Sequence, residues 1–225
     1  MKFSIEARDG YLHAVVHGRD TAEQMREFLY AVHAACGQHE MPKILMSVRQ
    51  SRAVFRGEDY GLDGNTRGYV KELAGPTCQV ALVGDTDELH QAHEYIEVLA
   101  RQQGFNVRAF RDLNAGLRWL RGEGARAARR YRFARIVISG APDNRGVFAL
   151  WQDDEVVYYG RAEGSSGGNG ATIRSVLLDR FEQDAMQATH YSWEVCEDPA
   201  AREAELLREH QGSHGRPPRL NDNAA

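Results

Sequence analysis

Paired cysteines, long apolar runs and a strong excess of either charge are all missing from this 225-residue sequence, and each absence removes a class of protein. Its three cysteines, Cys36, Cys78 and Cys196, stand far apart without a CxxC or paired-histidine spacing, so neither a disulfide framework nor a zinc site is indicated. They read as small buried apolar residues. No apolar run approaches the roughly 20 residues of a membrane span. The start MKFSIEARDG alternates apolar and polar residues and carries Glu6 and Asp9, which breaks the continuous core of a signal peptide. A cytoplasmic protein without membrane contact is expected. A net charge of −4 argues against a chain that coats nucleic acid through many phosphate contacts.

What is present suits folded domains: 42% hydrophobic and 27% charged residues are ordinary for a globular chain, and the length suits two small domains. The charge is unevenly spread. Arg118, Arg121, Arg126, Arg129, Arg130, Arg132 and Arg135 face only Glu123 across that stretch, and such a basic strip can serve a nucleic-acid partner even on an acidic chain.

The first half alternates strand and helix signals. FSIEA and YLHAVVHG predict an opening hairpin about Asp9-Gly10. A helix follows from Thr21 to Cys36, capped by Thr21, striped by Met25, Phe28, Leu29 and Val32, and stopped by Gly37. KILMSV (Lys43 to Val48) and CQVALVG (Cys78 to Gly84) are near-continuous apolar runs that suit buried, largely parallel strands. The longest helix, Asp87 to Gln103, sets Leu89, Ala92, His93, Ile96, Leu99 and Ala100 on one face before Gly104. FNVRAF is a further strand, and DLNAGLRWLRG a short helix capped by Asp112. The outcome is an α/β domain over residues 1–122. With QVALVGD, ARQQGFNVRAFRD and AGLRWL in this order, it resembles the STAS-like fold of anti-sigma-factor antagonists, which implies a regulatory module that binds a protein partner. Phosphorylatable members of that family carry a serine in an acidic loop after the third strand. Here Ser51 lies among Arg49 and Arg52, so a structural loop serine is expected.

The run GEGARAARR has two glycines and no large apolar residue, and residues 123–132 read as a basic linker. RIVISG is then expected as a strand leading into the hairpin GVFALWQDDEVVYYGRA, Gly146 to Ala162, which turns about Gln152-Asp153-Asp154-Glu155. EGSSGGNGAT cannot pack a core and reads as a surface loop. Thr172 caps the helix of TIRSVLLDRF, whose N-terminal N–H groups favour an anion. THYSWEVC alternates as a half-buried strand, Asp198-Pro199 starts a last helix through AAREAELLREH, and the tail GRPPRLN reaches Asn221.

GVF, YYGRA, TIRSVLLDR, SWEV, REAELL and PRLN in this order resemble the GIY-YIG nuclease domain over about Gly146 to Asn221. For residues 133–225 the resemblance implies an α+β domain with a small three-stranded antiparallel sheet flanked by helices. It also implies a metal-dependent endonuclease that hydrolyses phosphodiester bonds, DNA favoured, with Mg²⁺ or Mn²⁺. Tyr158 matches the first tyrosine of YIG, which positions or deprotonates the attacking water; a phenol of pKa ~10 needs a cation for this, and Arg161 is placed to help. Glu203 is the metal ligand: Leu206 and Leu207 at i+3 and i+4 put it on the edge of the sheet-facing side, while Glu205 and Glu209 fall toward solvent. One carboxylate suffices for Mg²⁺. Arg174, nearer than Arg180 to the anion-favouring helix end, takes the transition-state cation role. Asn221 is expected to supply a hydrogen bond in the site, and Arg161, His190, Arg129 and Arg130 to contact substrate. Two positions depart from the pattern: Phe148 replaces the tyrosine of GIY, and Val176 stands where the helix arginine commonly falls. The alternative is a non-catalytic nucleic-acid-binding module that kept the fold. A third reading is a regulatory protein in which the second half is a scaffold.

Overall fold

The computed structural model describes residues 1–51, 78–123, 129–164, 170–183 and 187–221. The chain divides into two compact units, Met1–Arg126 and Ala127–Ala225, one built on a mixed sheet and the other on an antiparallel sheet flanked by helices.

In the first unit, β1 (Lys2–Arg8) and β2 (Tyr11–His17) form an antiparallel hairpin whose turn places Gly10 at φ 76°, a region open to glycine. β2, β3 (Lys43–Arg49), β4 (Gln79–Gly84) and β5 (Asn106–Phe110) then run parallel, in the spatial order β1-β2-β3-β4-β5. The unbroken burial of Ile44 to Val48 follows from cover on both faces. On one face Met46, Val48 and Leu82 pack against Phe28 and Val32 of α1 (Ala22–His39) and Leu89 and Ile96 of α2 (Asp87–Gln102). On the other, Leu45 and Ala81 meet Leu120 of α3 (Leu113–Leu120). The side chains of Thr21, Thr86 and Asp112 accept from the third backbone N–H of their helices, as caps do.

The predicted stop at Gly37 is passed. α1 continues to His39 and ends at Glu40 in the left-handed region, φ 52°, with Met41 N–H bonded to the Cys36 carbonyl. A mid-helix glycine costs about 1 kcal/mol, which the packing of the apolar stripe outweighs.

In the second unit β6 (Tyr131–Arg132), β7 (Gly146–Gln152), β8 (Glu155–Ala162) and β9 (His190–Val195) form an antiparallel sheet in the order β6-β9-β7-β8. It has four strands rather than the expected three. Tyr131 and Arg132, expected in the linker, pair with Tyr191 and His190, and Tyr131 is buried. RIVISG is not a strand: Arg135–Ile138 makes a single helical turn, α4, with Val137 and Ile138 wholly buried and the Val137 carbonyl accepting the Tyr191 hydroxyl at 2.9 Å. A three-residue apolar run serves a single helical turn as well as a strand. α5 (Ile173–Glu182) and α6 (Pro199–His214) begin at Thr172 and Asp198, both with side-chain caps. No helix among the described residues is long and apolar enough to cross a membrane.

Candidate functional site

The β7–β8 hairpin positions the candidate groups, and two glycines set its geometry. At Gly146 a Cβ would sit 2.2 Å from the Glu194 carbonyl oxygen, so only glycine admits β9 this closely. At Gly160 a Cβ would lie 2.6 Å from both the Phe148 and the Tyr158 ring. These rings, 6.0 Å apart between centroids, cover the bare backbone of Gly160. The glycine of YYG thus makes room for the tyrosine two residues before it.

Tyr158 lies on the face covered by α5, where Arg180 Nη2 donates to its hydroxyl oxygen at 3.2 Å and the guanidinium carbon stands 5.1 Å from its ring. Strand alternation turns Tyr159 and Arg161 to the opposite face, under α6. There the Tyr159 ring meets His210 edge-on at 6.0 Å, and Arg161 Nη1 donates to Glu203 Oε2. The Glu203 side chain is only 14% exposed, and its Oε1 has no hydrogen-bond partner among the described residues. Hydrogen bonds to Glu203 and then to Glu163 hold Arg161 more firmly protonated than usual, while its guanidinium stays accessible. Tyr158 and Glu203, expected to share one site, therefore belong to different faces, with Tyr158 joined to Arg180 and Glu203 to Arg161.

Arg174 is engaged elsewhere. Its Nε donates to the Ala141 carbonyl at 2.7 Å and its Nη1 to Asp143 at 2.6 Å. The anion seat expected at the start of α5 is likewise filled by protein oxygens: Ile173 N–H bonds Asn144 O, Arg174 N–H bonds Pro142 O, and Ser175 N–H bonds Thr172 Oγ1. Arg180 is the helix arginine that reaches a candidate group. The sequence contained its signal: Ile173, Leu177 and Arg180 fall at i, i+4 and i+7, on the buried face that Arg174 leaves.

Asn221 does not present its amide to a substrate. Its Oδ1 accepts from Tyr159 N–H at 2.9 Å, its Nδ2 donates to Tyr159 O at 2.8 Å, and Leu220 N–H bonds Val157 O, so the tail closes the outer edge of β8. The other expected substrate contacts have different partners. Arg130 stacks on Trp151, 3.9 Å from guanidinium carbon to ring, and donates to Asp154 at 2.8 Å; Arg129 lies half-buried beside it in sequence. His190 Nδ1 sits 3.0 Å from Thr189 Oγ1, and burial first, then Arg132 and Arg130, pushes its pKa below the ordinary imidazole value. A neutral imidazole is a weak phosphate ligand. Arg126 and Arg52, and residues 165–169 of the glycine-serine loop, lie outside the described residues.

Among the described residues no three His, Cys, Asp or Glu side chains converge as a ready metal cage. Mg²⁺ does not require one, because it keeps several waters and draws one or two carboxylates from protein and the remainder from phosphate. The open oxygen of Glu203 fits that need. Compared with known protein families, curated proteins and solved structures, the chain matches none.

Proposed function

We propose that the second unit is a GIY-YIG-type endonuclease, dependent on Mg²⁺ or Mn²⁺, that hydrolyses phosphodiester bonds of nucleic acid in the cytoplasm, DNA before RNA, with a STAS-like partner-binding unit ahead of it. The observation that carries this reading is Glu203, a nearly buried carboxylate with one oxygen fixed by a guanidinium and the other open. A divalent ion held there supplies Lewis-acid charge to the phosphate and lowers the pKa of bound water. Arg161 orients the carboxylate and offers its remaining N–H groups to a phosphate oxygen. The Tyr158 hydroxyl accepts from Arg180, so its own proton is free to point at water or phosphate. β8 is the edge strand of its sheet, and beyond the stretch closed by Asn221 a substrate strand laid along that edge meets groups from both faces.

The separation of Tyr158 and Glu203 onto two faces, with Phe148 lacking the second phenol, favours the alternative of a non-catalytic module whose Arg161 and Arg180 grip the phosphate backbone. Incubation with linear, nicked and branched DNA and with RNA, in Mg²⁺, Mn²⁺ or EDTA, decides between them. The nuclease reading expects cleavage that EDTA abolishes. Binding without cleavage across the panel selects the module, and neither binding nor cleavage removes both.

A further inference from the structure

We infer that the first unit pairs with a second copy of this chain through β1, the two copies of the strand joining antiparallel about a two-fold axis at Ser4. A strand at the edge of a sheet presents unpaired N–H and C=O groups, and chains blunt such edges with short strands, proline, bulges or a cover. Among the described residues the other three sheet edges are blunted. β6 has only two residues, the tail closes β8 through Asn221 and Leu220, and on β5 the Ala109 N–H is taken by Glu97 Oε2 at 2.8 Å. β1 has none of these devices. Its seven residues include no proline or glycine, pair with β2 without a bulge, and are all exposed except the half-buried Ile5.

The residues of β1 decide the occupant. Counted from the Arg8–Tyr11 pair that closes the Asp9-Gly10 turn, hydrogen bonding alternates along the hairpin, so Phe3, Ile5 and Ala7 turn their N–H and C=O groups outward. An axis at Ser4 sets Phe3 opposite Ile5 of the second copy as a hydrogen-bonded pair, and Lys2 opposite its Glu6 as a closer, non-hydrogen-bonded pair. Opposite charges then meet twice. An axis at Ile5 would place Lys2 against Arg8, one at Glu6 would oppose the two glutamates, and one at Phe3 would leave Glu6 beyond the paired stretch, so charge selects the register about Ser4. Glu6 Oε2 accepts from its own Arg8 Nη2 at 2.7 Å, and Oε1 is left for the lysine. The opposite face of β1 is apolar. Met1 and Ile5 pack on the core under α1, and the Phe3 ring, 38% exposed, meets Phe28 edge-on at 5.6 Å between centroids. Ile5 of the second copy would cover the rest of that ring. α1 packs over β1 and β2 with exposed Tyr30 and His33 on one flank and half-buried Ala31 and Ala35 on the other, so the same axis brings the Tyr30 flank toward its own copy.

The test is sedimentation velocity on the full chain at protein concentrations from about 1 μM to about 1 mM. A reversible monomer–dimer equilibrium is expected. Lys2→Glu sets like charges opposite each other twice and should raise the dissociation constant about tenfold or more, and Lys2→Glu/Glu6→Lys should restore it. Both side chains are exposed, so the circular dichroism spectrum should not change. Rescue by the reciprocal exchange is a result that a structural role of either residue alone would not give. Val195→Lys, at an exposed apolar position of the other unit, should leave the equilibrium intact. A monomer at every concentration would leave the edge to a strand of another protein and overturn the inference. So would a dimer indifferent to Lys2→Glu, one lost in Val195→Lys, or one that the double variant fails to restore.

Discussion

Among the described residues, the first unit buries more charged and imidazole side chains than the second, which buries His210. The first buries Arg19, His90, His93, Glu94 and Glu97, whereas the second sets Arg130, Arg135, Arg161, Arg174 and Arg202 against carboxylates at or near its surface. α2 packs an apolar stripe on a parallel sheet and still has polar residues on its buried flanks. The smaller antiparallel sheet carries its charges on helix margins and strand ends. The difference separates two roles. Buried groups make stability depend on pH, while exposed pairs, worth about 0–1 kcal/mol each, give up a carboxylate for a phosphate at little cost.

The largest effect expected from this contrast is on rate. Arg180→Ala should slow cleavage by about 10²–10³, the usual cost of one transition-state donor, with the unfolding midpoint nearly unchanged. An equal loss in Arg174→Ala would put the working cation back at the start of α5. Next is Gly146→Ala, whose methyl group meets the Glu194 carbonyl; about 3 kcal/mol of stability should be lost in urea titrations, at the upper end for overpacking. An unperturbed variant would mean that β7 and β9 can part without cost.

The third sharpens the contrast between interiors. Burial first, then Arg19 and His90, pushes the pKa of His93 down to about 3, against about 6.5 in an unfolded chain. Between those values the unfolded chain binds a proton that the folded unit refuses, so stability falls as pH falls. From pH 7 to 5 the loss is about 2 kcal/mol, read from urea midpoints, and His93→Leu should flatten the slope. A wild-type profile already flat over that range would contradict the burial of an uncharged His93. The smallest effect is that of Arg174→Ala on stability, about 1 kcal/mol from its bond to the Ala141 carbonyl, with cleavage unaffected.

Periodicity made most elements legible, because the apolar runs of β3 and β4 and the stripe of α2 report burial directly. The same periodicity marked Arg180, three residues after buried Leu177, although proximity to the helix start pointed to Arg174. Strand parity was also present in YYGRA: residues 158 and 161 differ by an odd number and face opposite ways. What could not be read are contacts across long separations. Asn221 bonds the backbone of a residue 62 positions earlier, and nothing local in PRLN says that its amide completes a strand edge. RIVISG failed for a different reason, since a short buried segment carries no period at all.

Cleavage time courses of Glu203→Gln beside Glu205→Gln decide whether the open carboxylate of Glu203 serves metal-dependent hydrolysis. Glutamine preserves size and helix propensity and removes only the charge that holds a hard cation. Glu203→Gln is expected to show no Mg²⁺- or Mn²⁺-dependent cleavage yet to bind nucleic acid and melt as the wild type does, while Glu205→Gln cuts normally. Undiminished cleavage by Glu203→Gln, or a loss shared equally by Glu205→Gln, would contradict that role.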